Sequence, residues 1–156
     1  MPLLRTAHQW LTLSRFDHGV RDWAGSALLL GLRLFVGWQF FKAGMIKLHD
    51  WDATLALFHD EYKVPVLPPT LAAYLGAFGE LAFPSLLFSG LCTRAAALGL
   101  FAVNAMAVIS YPQLWEFECP AAINDHKYWG ILMLVIACFG AGRASLDWLL
   151  RRNDPA

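Results

Sequence analysis

Three polar side chains interrupt the long apolar stretches of this chain, and they are the first candidates for chemistry. Arg33, Glu80 and Asn104 each lie inside a stretch apolar enough to form a membrane helix, where an unpaired charge is costly. Counted from the same end at ~1.5 Å per helical residue, all three fall roughly 10 to 14 Å deep. A guanidinium, a carboxylate and an amide at one level can satisfy one another's hydrogen bonds. The sequence therefore predicts that they meet, either as a catalytic site or as an ion pair that only pins three helices together.

A second polar set lies at the opposite ends of the predicted helices. Lys47 ends the first apolar helix, and the last helix opens with His126, Lys127 and Tyr128. The free N–H groups and the dipole of a helix N-terminus favour negative charge. We take these four residues as candidate cofactor-binding groups for a quinone carbonyl, an oxyanion or a metal. The alternative is that they only cap the helix and extend their polar ends to the membrane surface.

Residues of metal-ligand type are present, but their spacing is not that of a metal site. The chain has no C-x-x-C or H-E-x-x-H pattern, so we assign no metal site. The cysteines are far apart and odd in number, and they do not indicate a disulfide framework. The candidate residues of metal-ligand type, including the three cysteines, are His49, His59, His126, Glu116, Glu118, Cys92, Cys119 and Cys138.

The composition is that of a membrane protein. The chain has 156 residues, 58% of them hydrophobic, and no formal net charge, with a mean hydropathy of +0.46. This is too apolar for a soluble domain of this size. We therefore expect the lipid bilayer as a partner, and the neutral chain gives no indication of nucleic acid. The first residues lack the apolar core and cleavage site of a signal peptide, so the first helix is expected to be an uncleaved anchor.

Four apolar stretches predict four membrane helices, and prolines and polar residues predict the loops between them. The fourth stretch is short, and a buried or re-entrant segment is its alternative. In the first loop, residues 53–62 could form a short helix on the bilayer or at the bundle mouth. The predicted helices cover residues 25–47, 71–89, 94–111 and 124–140, with loops at 48–70 and 112–123. The predicted domains are an N-terminal cytoplasmic tail at 1–24, with a surface helix at 10–20 or no fixed structure, a transmembrane domain at 25–150 and a C-terminal cytoplasmic tail at 151–156.

The arginines predict which side of the membrane each end faces. Arginine is concentrated near the two ends of the chain and in the turn between the second and third helices. In the larger loops and their margins, by contrast, the only Lys or Arg residues are lysines. Because basic residues are enriched in cytoplasmic segments, the arginine-rich side should be cytoplasmic. The predicted fold class is therefore all-α, a four-transmembrane-helix bundle with both termini cytoplasmic, placed in the inner (plasma) membrane as a multi-pass protein.

Several segments resemble the DoxX family of small four-helix membrane proteins. They are GLRLFVGWQFFKAGMIKL, the loop ending in Val64 and Pro65, GAFGELAFPSLLFSGLCTRAAAL and the closing GAGRASLDWLL. Together they cover residues 25–150, and their order along the chain carries the resemblance. The opening of the fourth helix, DHKYWGILML, is also similar to DoxX-like members that accompany the biosynthesis of copper-binding peptides.

The resemblance implies a role in redox metabolism. One branch of the family is a subunit of thiosulfate:quinone oxidoreductase, and other members are associated with thiol and oxidative-stress defence. The first hypothesis is a quinone-linked oxidoreductase component, in which Arg33 and Glu80 hold or protonate a quinone head group while His126 and Lys127 gate it. The second is a non-enzymatic scaffold whose acidic, aromatic outer loops recruit a redox or metal-handling protein partner. A small transporter is a third, although four helices leave little room for a path without oligomerisation.

Overall fold

The computed structural model describes residues 18–116 and 121–153, and the regular elements within these ranges are all helices. The predicted all-α fold is therefore confirmed. Four of the helices are long and pack side by side, and three short ones lie at the two ends of the bundle. The helices are α1 (His18–His49), α2 (Trp51–Asp60), α3 (Pro69–Ser89), α4 (Thr93–Ser110), α5 (Gln113–Glu116), α6 (Ala121–Phe139) and α7 (Leu146–Asn153).

The long helices α1, α3, α4 and α6 form an up-and-down bundle. α3 lies between α1 and α4, and α6 packs against both α4 and α1. Small residues set the close approach of α1 to α3, because Gly37 faces Phe88 and Gly44 faces Leu81. Small side chains allow helix backbones to approach closely in lipid. An apolar core fills the centre of the bundle and includes Val36, Phe40, Leu87, Leu100, Met133 and Ile136.

The α3–α4 turn and α7 form one end of the bundle, which we call the turn end. Gly90 and Cys92 in this turn are left-handed, with φ of 67° and 48°. No side chain of α4 caps its own N-terminus. Instead, the Asp147 carboxylate accepts hydrogen bonds from the backbone N–H of Cys92 at 2.8 Å and of Thr93 at 2.9 Å. Because these N–H groups have no partner inside the helix, the aspartate both caps α4 and fixes α7 to the turn.

Helices α2 and α5 and residues 61–68 form the opposite end, which we call the loop end. The Asp50 carboxylate caps α2 by accepting from the backbone N–H of Ala53 at 2.9 Å. Phe58 of α2 is buried in a cluster with Ala72 and Ala73 of α3. The short helix predicted at 53–62 is therefore present as α2, and it covers the mouth of the bundle.

Three helical segments are long and apolar enough to cross a bilayer, namely Asp22–His49, Pro69–Ser89 and Thr93–Ser110. They match the first three predicted crossings. The mean hydropathy of α6 is too low for it to be counted with them, because polar residues, Asp125 and Lys127 among them, occupy its first turns. That α6 forms the fourth membrane crossing therefore stays a prediction, as does the cytoplasmic location of both termini.

The observed helix limits differ from the predicted ones at the N-terminus. α1 begins at His18 and has 32 residues, so at ~1.5 Å per residue it exceeds the ~30 Å apolar core of a bilayer. Of the surface helix predicted at 10–20, residues 18–20 belong to α1 and the rest lies outside the described residues. Residues 154–156 and the candidate metal ligands Glu118 and Cys119 also lie outside them.

Candidate functional site

A largely buried ion pair joins α1 to α3 near the loop end. The Lys47 ammonium donates to both carboxylate oxygens of Glu80, with Nζ 2.8 Å from Oε1 and 2.7 Å from Oε2. The two side chains are only 15% and 11% exposed. A charge removed from water is unfavourable unless it is paired, so each residue stabilises the charged form of the other.

The direction of side chains on antiparallel helices explains this pairing. Cα–Cβ bonds tilt toward the N-terminus of their own helix. Lys47 lies in the last turn of α1 and therefore reaches back into the bundle, whereas Glu80 on α3 reaches toward the loop end. Gly44 leaves the space between them open, since a Cβ at this position would lie 3.1 Å from the Glu80 Cβ.

The predicted contact of Arg33 with Glu80 is wrong. Arg33 is fully buried, and its guanidinium donates to the carbonyl oxygens of Leu87 at 3.2 Å and Ala144 at 2.6 Å. It therefore satisfies a carbonyl group in the last turn of α3 and holds the segment that precedes α7. The prediction failed because counting depth along each helix ignores side-chain direction. On α1, Arg33 points toward the turn end, whereas Glu80 on α3 points away from it.

Asn104 does not join Arg33 to Glu80 either, and this part of the prediction is also wrong. Its amide clamps α4 to α6, because Nδ2 donates to the His126 carbonyl oxygen at 3.0 Å and Oδ1 lies 2.7 Å from His126 Nδ1. The His126 ring also packs edge-on against Trp129, with centroids 5.0 Å apart. Both groups are thus engaged in holding two helices together.

The remaining predicted cofactor-binding residues lie on the outside of α6. Tyr128 is 62% exposed, and the Lys127 ammonium lies 3.5 Å from the Asn124 side-chain oxygen. Of the predicted site residues, the structure brings together only Lys47 and Glu80 at a cavity. Within the described residues, no three His, Cys, Asp or Glu side chains are grouped so that they could hold a metal ion.

A cavity of about 320 Å³ lies beside the Lys47–Glu80 pair, between α3 and α4 and next to α2. Its wall is mostly apolar. Phe58 of α2 and Phe83 of α3 belong to it, and Gly76 and Gly99 contribute backbone surface rather than side chains. The other apolar lining residues include Val64, Leu67, Leu75, Ala102, Val103 and Met106. An ion pair in such a wall faces an apolar space with little competition from water.

Two further polar side chains belong to the cavity wall, Tyr62 and Ser110. Burial, reinforced by the nearby Glu80 carboxylate, raises the pKa of Tyr62 to about 12, so its hydroxyl group stays protonated at neutral pH. Ser110 is 2% exposed, and its Oγ has no hydrogen-bond partner within the described part of the chain. A buried hydroxyl group without a partner is unfavourable. A ligand with an acceptor atom would remove this penalty.

The apolar helices α3 and α4 both contribute exposed side chains to the cavity wall. Leu75 of α3 and Met106 of α4 line it, and their side chains are 50% and 38% exposed. Both residues lie in segments apolar enough to cross a membrane. A ligand that passes between them would therefore arrive from the lipid phase.

The comparison with protein families decides the assignment. The family model named DoxX matches residues 28–112 of this chain. The chain belongs to the DoxX family. A protein of Haemophilus influenzae, described as uncharacterized, is 29% identical over 137 residues, which cover 85% of this chain and 88% of the relative. No solved structure matches the chain.

The DoxX match runs from α1 to the end of α4 and contains every residue that lines the cavity. Sequence reasoning found Lys47 and Glu80 as separate candidates but missed that they pair, and it missed Tyr62 and Ser110. The signal for the ion pair was present, because the long side chain of Lys47 is directed back from the last turn of α1 and can reach the middle of the antiparallel α3. Tyr62 and Ser110 show no local pattern, since packing between distant segments brings them to the cavity.

Proposed function

We propose that this DoxX protein is a quinone-linked component of redox metabolism that binds a quinone head group in the cavity beside Lys47 and Glu80. The observation that carries the proposal is a largely buried ion pair in the wall of an apolar cavity to which two membrane-spanning helices contribute exposed side chains. An ion pair that only holds two helices together requires no cavity next to it. Membrane quinones combine an apolar body with carbonyl oxygens, and this wall complements both.

The residues present fit such a ligand. Quinone carbonyls only accept hydrogen bonds, and Lys47, Tyr62 and Ser110 supply N–H and O–H donors in the wall. The Ser110 hydroxyl in particular lacks a partner within the described residues. Ligand pockets range upward from about 300 Å³, so a cavity of about 320 Å³ suits a single ring system. An apolar tail could extend between Leu75 and Met106 into the bilayer.

A bound quinone takes up two electrons and two protons when it is reduced to the quinol. Lys47 would hold one carbonyl oxygen and stabilise the negative charge that develops on it. The Glu80 carboxylate, whose two oxygens contact Lys47 Nζ, would take up a proton from water and pass it through the Lys47 ammonium to this oxygen. The second proton would reach the other carbonyl oxygen from water. The electrons would come from a separate donor protein. We therefore assign to this chain the binding of the quinone and the transfer of protons.

Quinone binding and reduction by the purified protein in nanodiscs test the proposal. Binding of a short-tailed quinone is followed by quenching of tryptophan fluorescence, and quinol formation is followed with a reduced dithiol as electron donor and, separately, with cell membranes. Glu80→Gln keeps the size of the side chain and removes the proton-carrying group. Its amide oxygen can still accept a hydrogen bond from Lys47 Nζ, so we expect this variant to be destabilised but folded and to lose quinol formation.

Asp52→Asn is the matched control, because Asp52 is an exposed acid on α2 and does not line the cavity. It should behave as wild type in both measurements. Quinol formation by Glu80→Gln at the wild-type rate, or failure of the wild-type protein to bind any quinone, would contradict the proposal.

A non-enzymatic scaffold is the second candidate, favoured by exposed apolar side chains at the loop end. Trp115 is 63% exposed and Val66 is fully exposed. The Trp115 indole N–H donates to the Val108 carbonyl oxygen at 3.2 Å, so the ring is held in place on the surface. A scaffold predicts that Trp115→Ala abolishes function in cells while Glu80→Gln does not. The quinone proposal predicts the reverse order of effects.

We also propose that the protein lies in the inner (plasma) membrane with four crossings and both termini in the cytoplasm. The outer surface of α6 supports the fourth crossing, because Ile131, Leu134 and Phe139 on this helix are 59%, 43% and 73% exposed. Apolar side chains exposed along a helix of a bundle are typical of contact with lipid. The polar first turns of α6 would then lie at the outer membrane surface.

A further inference from the structure

A basic groove of about 600 Å³ lies at the turn end, far along the bundle from the cavity. The start of α1, the segment that follows α6 and the helix α7 form its walls. Asp22 contributes one carboxylate to the lining, against the guanidinium groups of four arginines, Arg94, Arg143, Arg151 and Arg152. The nearby carboxylate of Asp147 is already engaged by the N-terminus of α4. The groove therefore carries a strong excess of positive charge.

Contacts inside the protein orient two of these guanidinium groups without using up their donors. Arg143 donates from one nitrogen to Asp22 at 2.8 Å, and its guanidinium lies 5.6 Å from the centre of the Trp23 ring. Arg152 lies over the Trp148 ring at 5.3 Å. Each guanidinium has five N–H donors, so most donors in the groove remain available for an anion.

The remaining two arginines leave donors available as well. Arg151 donates from Nε to the Asp147 carbonyl oxygen at 3.2 Å. Arg94 makes no hydrogen bond or ion pair within the described residues. Forked N–H groups of this kind match the oxygens of a phosphate group.

One exposed apolar side chain lines the charged groove, and three more lie on the faces of α7 that do not line it. Phe139 belongs to its lining and is 73% exposed. α7 carries Leu146, Leu149 and Leu150 at 42%, 47% and 58% exposure, with Arg151 and Arg152 in its last turn. A short helix with an apolar side and basic residues is typical of a helix that lies in the membrane surface.

We infer that this groove binds an anionic phospholipid, with the phosphate group among the arginines and the acyl chains along Phe139, while the leucines of α7 face the surrounding membrane surface. A free phosphate ion would use the charge but not the adjoining apolar surface, so the structure favours the lipid. Basic pockets between membrane helices bind acidic head groups on the same physical basis. The inference is independent of the quinone proposal, because the two sites share no residue.

Native mass spectrometry of the delipidated protein, titrated with phosphatidylglycerol or phosphatidylcholine, tests the inference. We expect retention of phosphatidylglycerol and much weaker retention of phosphatidylcholine. Arg94→Gln with Arg152→Gln should weaken phosphatidylglycerol binding about 30-fold, given the usual contribution of a basic side chain near anionic lipid. Arg94→Lys with Arg152→Lys should restore a large part of it.

Lys42→Gln with Lys63→Gln removes two exposed positive charges away from the groove and should leave lipid binding unchanged. A measurement on the wild-type protein alone avoids any dependence on folding of the variants, since high salt should weaken phosphatidylglycerol retention. The inference is overturned if salt has no effect, if both lipids are retained equally, if the glutamine variant binds as wild type, or if soluble glycerol phosphate displaces the lipid at equal concentration.

Discussion

Removal of one or both members of the Lys47–Glu80 pair gives a quantitative test of how the site is held. The ammonium makes contacts of 2.8 and 2.7 Å to the two carboxylate oxygens, and the side chains are 15% and 11% exposed. Lys47→Met leaves the carboxylate without its partner, and Glu80→Met leaves the ammonium without its partner. Because an unpaired buried charge is left behind, each single substitution should lower the free energy of unfolding by about 3 to 5 kcal/mol.

The double substitution should behave differently. With both charges replaced by apolar side chains of similar volume, the free energy of unfolding should return to within about 1 kcal/mol of wild type or exceed it. The four proteins would be compared by reversible unfolding in mixed micelles, followed by tryptophan fluorescence. Lys42→Met, at an exposed position of α1, serves as the control and should change stability by less than about 0.5 kcal/mol.

Additivity is the result that would refute this reasoning. Independent residues give effects that add within about 0.5 kcal/mol. If the double variant were as destabilised as both single substitutions together, the two side chains would not be coupled. The ion pair would then not exist in the membrane protein.

Three further predictions follow from the turn end and the topology. Arg33→Met should lower the free energy of unfolding by about 3 kcal/mol or more in the same micelle assay, because it leaves the carbonyl groups of Leu87 and Ala144 without a charged donor. Burial alone would raise the pKa of Asp147, but hydrogen bonds from Thr93 and Cys92 lower it below its ordinary value. Its contribution to stability should therefore be complete above about pH 4 and be lost as the pH falls further, and Asp147→Asn should flatten unfolding profiles in that range. Reporter fusions after α7 and within residues 61–68 should place these two points on opposite sides of the membrane, whereas three crossings would put them on the same side.

The sequence determines the helical architecture because apolar stretches and their interruptions are local features. The turn at 90–92 and the short helix α2 follow from breaks in hydropathy and from proline positions. The boundary of α1 was harder to predict, because the polar residues before position 25 continue the helix beyond the apolar stretch. Local pattern cannot distinguish a membrane crossing from a helical extension outside it.

The partners of the buried charges could not be predicted by counting depth. Arg33 and Glu80 lie at similar counted depths, yet their side chains point in opposite directions along the bundle. Lys47, and not Arg33, pairs with Glu80, because the long Lys47 side chain reaches back from the last turn of α1 toward the carboxylate. The cap that Asp147 provides to α4 joins residues 54 and 55 positions apart. No periodic pattern within either segment indicates such a contact.

The central claim is that the cavity between α3 and α4 is a site for a quinone from the lipid phase. Photo-crosslinking with an azidoquinone, followed by peptide mapping, tests it most directly. Labels are expected on buried cavity residues such as Phe58 and Ser110, suppressed by an excess of unlabelled quinone. Labels confined to the outer faces of the helices, or labels that excess quinone does not reduce, would contradict it.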